Sequence, residues 1–213
     1  FKVDIIIGEG TGAKTLSFSI PRFTLIGATT RAGSLSAPLR SRFGIIERME
    51  FYNEQELSDV IKRSAKILQV NINDSGAQAL ACRSRGTPRI ANRLLRRISD
   101  FALVANISEA HSKFIDQTLQ KLEIDHEGLD SVDRKLLQII IEFYQGGPVG
   151  ISALAATLNE EIETLEDIIE PYLIQKGYIQ RTPRGRVASF RAYEHLGIKS
   201  QQRDNDTTLF HNN

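Results

Sequence analysis

Residues 23–28 (FTLIGA) constrain the fold more than any other stretch: they form a short apolar run that follows Pro21 and ends in Thr29 and Thr30. An unbroken apolar run of this length suits a strand buried on both faces of a parallel sheet. Residues 3–7, 15–20 and 46–52 also read as strands. Residues 1–52 are therefore sheet material that cannot close a core alone. In open α/β sheets ligands sit beyond the carboxyl ends of the strands. That places Thr29 and Thr30 where a hydroxyl can meet a phosphate or an attacking water.

Two neighbouring segments add detail. The glycines of residues 8–12 (GEGTG) lie between strand-like runs with no helix-forming segment after them, so they predict a hairpin turn and not a phosphate loop. In the second strand of that hairpin Leu16, Phe18 and Ile20 recur at period two and share one side. Residues 36–44 describe a short helix, with Ser36 as cap, Pro38 near the first helical position and Gly44 as terminator. Arg40 and Arg42 are two residues apart, point in different directions on a helix, and cannot share one role.

Residues 53–124 read as helical. Asn53 with Glu56 makes a cap and N3 pair, and Leu57, Val60, Ile61, Ile67 and Leu68 continue an apolar stripe. Asp74 or Ser75 opens a second helix that ends at Gly86. Thr87 and Pro88 open a third, with Ile90, Ala91, Leu94, Leu95, Ile98 and Phe101 as its buried face. Arg83, Arg85, Arg89, Arg93, Arg96 and Arg97 crowd this region, and most of them read as a solvated face. Arg89 differs, because a helix start there supplies free N–H groups and a positive dipole end suited to phosphate.

Residues 126–197 predict a winged helix. A helix over residues 131–144, a break at Gly146-Gly-Pro148, helices over 151–158 and 160–176, and the stop at Gly177 lead into strand, turn, strand. Arg181, Arg184 and Arg186 fall at or beside that turn, where long cations can reach a phosphate backbone. The helix expected in the major groove carries Glu160, Glu161, Glu163, Glu166, Asp167 and Glu170. That many carboxylates against phosphates would be repelled, so the expected contact is made by the wing and is indifferent to sequence. Residues 198–213 are polar and aperiodic, and a disordered tail is expected.

Composition bounds the rest. The 213 residues, 41% hydrophobic and 25% charged, fit a soluble globular protein of more than one domain with a net charge of +1. A single Cys82 forms no internal disulfide and fits a reducing cytoplasm. Four scattered histidines without partners at ligand spacing predict no metal site.

Residues 24–31, the S-A-P-L-R-S-R-F-G run at 36–44 and R-G-T-P-R at 85–89 closely resemble the RuvB family of AAA+ ATPases, and the likeness extends from Phe1 to about Leu196. It implies a partial AAA+ large domain with a projecting β-hairpin (1–52), an all-α lid (53–124) and a winged-helix head (126–197). By position, the resemblance makes Thr29 sensor 1 with Thr30 beside it, Arg42 the arginine finger, Tyr52 the adenine contact and Arg89 the sensor 2 arginine. It gives Leu16, Phe18 and Ile20 to docking of RuvA, and Arg181 and Arg186, with Arg184 at the same tip, to DNA. Further implications are ATP with Mg²⁺ as cofactor, a hexameric homo-oligomer, double-stranded DNA at Holliday junctions, and RuvC in the resolvase assembly. The sequence departs from the family in one respect. No G-x-x-x-x-G-K-[ST] loop and no apolar run ending in Asp-Glu occurs, so the magnesium ligands are absent. Opening at Phe1, the chain is expected to be a piece that neither grips ATP tightly nor hydrolyses it. Two rivals remain, a clamp-loader-like AAA+ subunit and a winged-helix regulator. The tip arginines count against the first and the pairing of Arg42 with Arg89 against the second.

Overall fold

The computed structural model describes residues 1–8, 14–30 and 32–199. Beyond Gly8, Ile198 and Lys199, the turn expected at 8–12 and the tail expected at 198–213 lie outside the described residues. The chain divides into two units, Phe1–Met49 and a second from Glu50 onward.

In the first unit β1 (Lys2–Ile7) pairs antiparallel with β2 (Lys14–Ser19), Val3 opposite Phe18 and Ile5 opposite Leu16. Paired residues share a face, so these four form one apolar, exposed side of the ribbon. Ile20 lies past the end of β2 and is partly buried, its N–H donating to the Phe1 carbonyl. The strands expected at 23–28 and 46–52 are absent here as strands. A strand exists only through its ladder partner, and none pairs with these runs among the described residues. Helix α1 (Ala37–Arg40) starts at Ser36 with Pro38 in its first turn and stops before the expected Gly44, leaving Arg42 in the following turn. None of the described residues of this unit is fully buried.

The second unit holds two cores. The first is built by α2 (Glu54–Leu68), α3 (Asp74–Cys82), α4 (Pro88–Val104) and α5 (Ser112–Lys121), packed through Leu57, Ile61, Leu80, Leu95, Ile98 and Ile115. The capping box predicted at Asn53 and Glu56 forms with both bonds at 2.9 Å. Ile67 and Leu68 are exposed, contrary to the expected stripe. Steps of four from Leu57 through Ile61 reach Ala65, which takes the buried slot instead. Helix α3 ends at Cys82, not Gly86, because Arg85 (φ 52°) and Gly86 (φ 69°) are both left-handed and turn the chain into α4. A Cβ on Gly86 would lie 2.8 Å from that of Phe51, so only glycine fits there.

The second core is the winged helix. Helix α6 (Ser131–Gln138), capped by Asp130 with Asp133 as its box partner, runs on into a π turn over Ile139–Phe143. Helix α7 (Ile151–Leu158) follows. Helix α8 (Ile162–Thr164) continues through a π turn, Leu165–Ile169, into α9 (Glu170–Gln175). Gly177 (φ 73°) stops it as expected. Strands β3 (Ile179–Thr182) and β4 (Gly185–Ala188) form the wing, with Arg181 opposite Arg186. Val149 exchanges two backbone hydrogen bonds with Arg186 and fixes β4 from its other edge. A helix that the sequence did not predict, α10 (Phe190–Leu196), closes the core through Ala192.

Candidate functional site

Within the first unit, Gly27 packs on the Phe43 ring, an ideal Cβ there lying 3.5 Å from Cζ. This contact lays the run that ends in Thr29 and Thr30 alongside the turn that carries Arg42. All three side chains are exposed.

In the second unit the Tyr52 N–H donates to the Gly86 carbonyl at 2.9 Å. The bond holds Tyr52, exposed, beside the α3–α4 loop. Three residues on, Arg89 is exposed in the first turn of α4, after the Thr87 cap and Pro88. The backbone bond thus ties Tyr52 to the loop that leads into the N-terminus of α4, where Arg89 stands. These groups suit a purine and a polyphosphate. Among the described residues no group of three or more His, Cys, Asp or Glu side chains is placed to hold a metal ion.

The arginine cluster divides. Arg89, Arg93, Arg96 and Arg97 are exposed, whereas Arg83 pairs with Asp116 at 2.7 Å and Arg85 turns inward. Arg85 Nε donates to the Gly128 carbonyl at 2.8 Å, and its Nη2 donates to Asp130 at 3.2 Å and to Asp133. Burial pushes the Asp133 carboxyl up to about 6, against the opposing pull of Arg85 and with a further push from Asp130. Sequence reasoning gave no signal for this cluster, because Asp130 and Asp133 lie 45 and 48 residues from Arg85 along the chain.

The wing arginines also separate. Arg184 is exposed at the turn. The Arg181 side chain is 50% exposed and donates to Glu170 at 2.5 Å. Arg186, expected at the tip, is only 10% exposed: it donates to Glu170 through Nε at 2.5 Å and Nη2 at 3.1 Å, and to Glu166 at 2.9 Å. Hydrogen bonding to Glu170 holds the Arg186 pKa above its ordinary value. Glu170 itself is fully buried and so does not belong to the outward acidic face read from the sequence. The cause is the π turn, whose wider ring adds a residue to the turn and rotates the following positions inward. Nothing in the hydrophobic period signals such a shift.

Residues 1–49 match the model of the Holliday junction DNA helicase RuvB P-loop domain, residues 52–125 the RuvB AAA lid domain, and residues 126–197 the RuvB C-terminal winged helix domain. The Holliday junction branch migration complex subunit RuvB of Ligilactobacillus salivarius is 56% identical over 197 residues, which cover 92% of this chain and 59% of that protein. Its counterpart in Pediococcus pentosaceus is 54% identical over 201 residues, 94% of this chain and 60% of that protein. The solved Thermotoga maritima RuvB Holliday junction branch migration motor superposes with a TM-score of 0.79 at 52% identity, covering 84% of this chain and 60% of the other. The chain thus spans about 60% of the length of the relatives it matches. With the P-loop, lid and winged-helix domain models matched in order along residues 1–197, the chain belongs to the RuvB family of Holliday junction branch migration subunits.

Proposed function

We propose that this chain forms the sensing, lid and DNA-gripping portion of an ATP-driven motor that moves Holliday junction branches. The observation that carries the proposal is the Tyr52–Gly86 hydrogen bond, which ties Tyr52 to the loop that leads into the N-terminus of α4, where Arg89 stands, in a chain whose lid and head match the RuvB models. Family membership also sets aside the clamp-loader and regulator readings.

In the working assembly, a hexameric ring in the cytoplasm, ATP lies between subunits. Tyr52 stacks on the base, Arg89 meets the phosphates and Thr29, with Thr30 beside it, places the water. Arg42 reaches the transferring phosphate of the neighbouring subunit; its position past the end of α1, on an exposed turn, suits a cross-subunit reach. The phosphate loop and the magnesium ligands lie outside these residues, and the bound ion would neutralise developing phosphate charge. The face formed by Val3, Ile5, Leu16 and Phe18, with Ile20 at its end, is apolar and exposed, and docks RuvA. Arg184 and Arg181 meet the phosphates of duplex DNA held at the junction, where RuvC joins the assembly. Arg186 holds the wing in shape from below.

The test is ATP turnover in a family-length chain that carries the phosphate loop. Arg42→Ala should still bind ATP yet lose roughly three to five powers of ten in turnover, as removal of such fingers does. Turnover within a few-fold of the parent would overturn the assignment.

A further inference from the structure

Arg85 opens the R-G-T-P-R run, yet none of the nucleotide contacts above uses it. Its surroundings are unusual for a lid residue. The side chain is 11% exposed, and its guanidinium engages the Gly128 carbonyl at 2.8 Å, Asp130 at 3.2 Å and the 1% exposed Asp133. The carbon of the guanidinium also stands 4.9 Å from the centre of the Tyr172 ring. Every one of these partners lies in the winged-helix half or at its entrance. Asp130 and Asp133 are the cap and N3 residues of α6, and Tyr172 belongs to α9.

The segment between the two cores is held from both sides. A Cβ on Gly128 would lie 2.8 Å from the Arg83 carbonyl oxygen, so lid backbone and entrance loop touch directly. From the winged-helix side Arg134 donates to the carbonyls of Leu129 and Glu123, both at 2.8 Å, and the Tyr172 hydroxyl donates to the Glu127 carbonyl at 2.5 Å. His195 meets Asp125 at 2.8 Å. The connection is therefore a packed joint, not a tether. Only a planar fork with five donors can serve a carbonyl, two carboxylates and a ring face together; a lysine ammonium cannot.

We propose that Arg85 is a positioning residue that locks the lid to the winged helix, so that displacement of Arg89 at the start of α4 is delivered to the wing as rotation of one body. The proposal rests on the motor reading above for what the rotation accomplishes, but not for the lock itself. Arg85 lies four residues before Arg89, in the left-handed loop that sets the direction of α4. Its grip on the α6 capping residues ties the two helix starts together.

The experiment measures the lock directly, on the 213-residue chain. Spin labels at Lys66→Cys and Glu160→Cys, both exposed positions, are introduced with Cys82→Ala, and the distance distribution is recorded by pulsed electron resonance. The parent should give one narrow distribution. Arg85→Met/Asp133→Asn removes both charges, leaves no buried carboxylate without a partner, and should widen or split it. Arg85→Lys, the milder change, should widen it less while leaving the helical circular dichroism intact. An unchanged width in either folded variant overturns the lock. In a family-length chain with the phosphate loop, Arg85→Lys should leave ATP turnover near the parent's. DNA movement per ATP should fall about two- to thirty-fold, the span of coupling residues. Equal losses in both overturn the positioning role. A parent that hydrolyses ATP without moving junctions overturns the motor reading, while the spin-label result still decides the lock.

Discussion

Replacing Glu170 by alanine tests whether the buried wing cluster is a structural element. Glu170 is fully buried and accepts three hydrogen bonds, two from Arg186 and one from Arg181. Without it, Arg186 at 10% exposure keeps only Glu166, which is 41% exposed and 2.9 Å away. Breaking a buried ion pair by removing one partner costs about 3–5 kcal/mol, because the survivor is a desolvated charge without compensation. The Arg181 bond adds about 0.2–1 kcal/mol, since that side chain is half in water. Arg186 retains Glu166, so the lower end applies, about 3 kcal/mol. For a unit of this size each kcal/mol moves the melting temperature by about 2–4 °C, giving a fall of roughly 6–12 °C. Thermal unfolding followed by circular dichroism reads this directly. Glu170→Met/Arg186→Met removes both charges and should melt near the parent, since apolar replacement of a buried pair is often neutral or stabilising. A fall below about 2 °C for the single variant, or a double variant less stable than the single, would refute the reasoning.

Four further outcomes are expected. Asp133 titrates at about 6 in the folded chain, against 3.8 for an unburied carboxyl. The native state thus binds the extra proton, and stability falls by about 3 kcal/mol as pH rises from about 4 through 6. Asp133→Asn should flatten urea-unfolding stability in that window, and an unaltered pH dependence would exclude Asp133 as its source. On duplex DNA of arbitrary sequence, Arg184→Ala should reduce the salt slope of log K by about 0.9, the value of one phosphate contact, with no change in melting temperature. A combined Arg181→Ala/Arg186→Ala protein should also bind DNA less well with a flatter salt slope, but its melting temperature should fall with it, because Arg186 is buried against Glu170. Leu16→Glu or Phe18→Glu should abolish RuvA binding in a pull-down without shifting the melt of the second unit. Retained binding would remove the ribbon as the dock.

Much of the second unit was legible in the sequence because its signals are local. The Asn53–Glu56 box, the Thr87-Pro88 helix start and the Gly177 stop each act within one turn of chain. The buried face read for α4 held at Ala91, Leu94, Leu95 and Ile98, since a 3.6-residue period needs no knowledge of the partner. The expectation failed where partners decide. Residues 23–28 and 46–52 have the composition of strands, but a strand is defined by the neighbour it bonds to, and none of the described residues pairs with them.

The order of motifs, the caps at Asn53 and Thr87 and the family itself were thus legible in the sequence alone, because each depends on residues a few positions apart, whereas Ser36, read as a cap, makes no side-chain cap bond. Which arginines are free was decided only by the folded chain. Arg184 and Arg89 face solvent, while Arg186 and Arg85 are drawn inward by carboxylates 16 and 48 residues away. The difference is physical. Periodicity and capping are set by bonds along one helix, whereas the worth of a charge depends on how much water remains around it and which opposite charge the packing brings within reach.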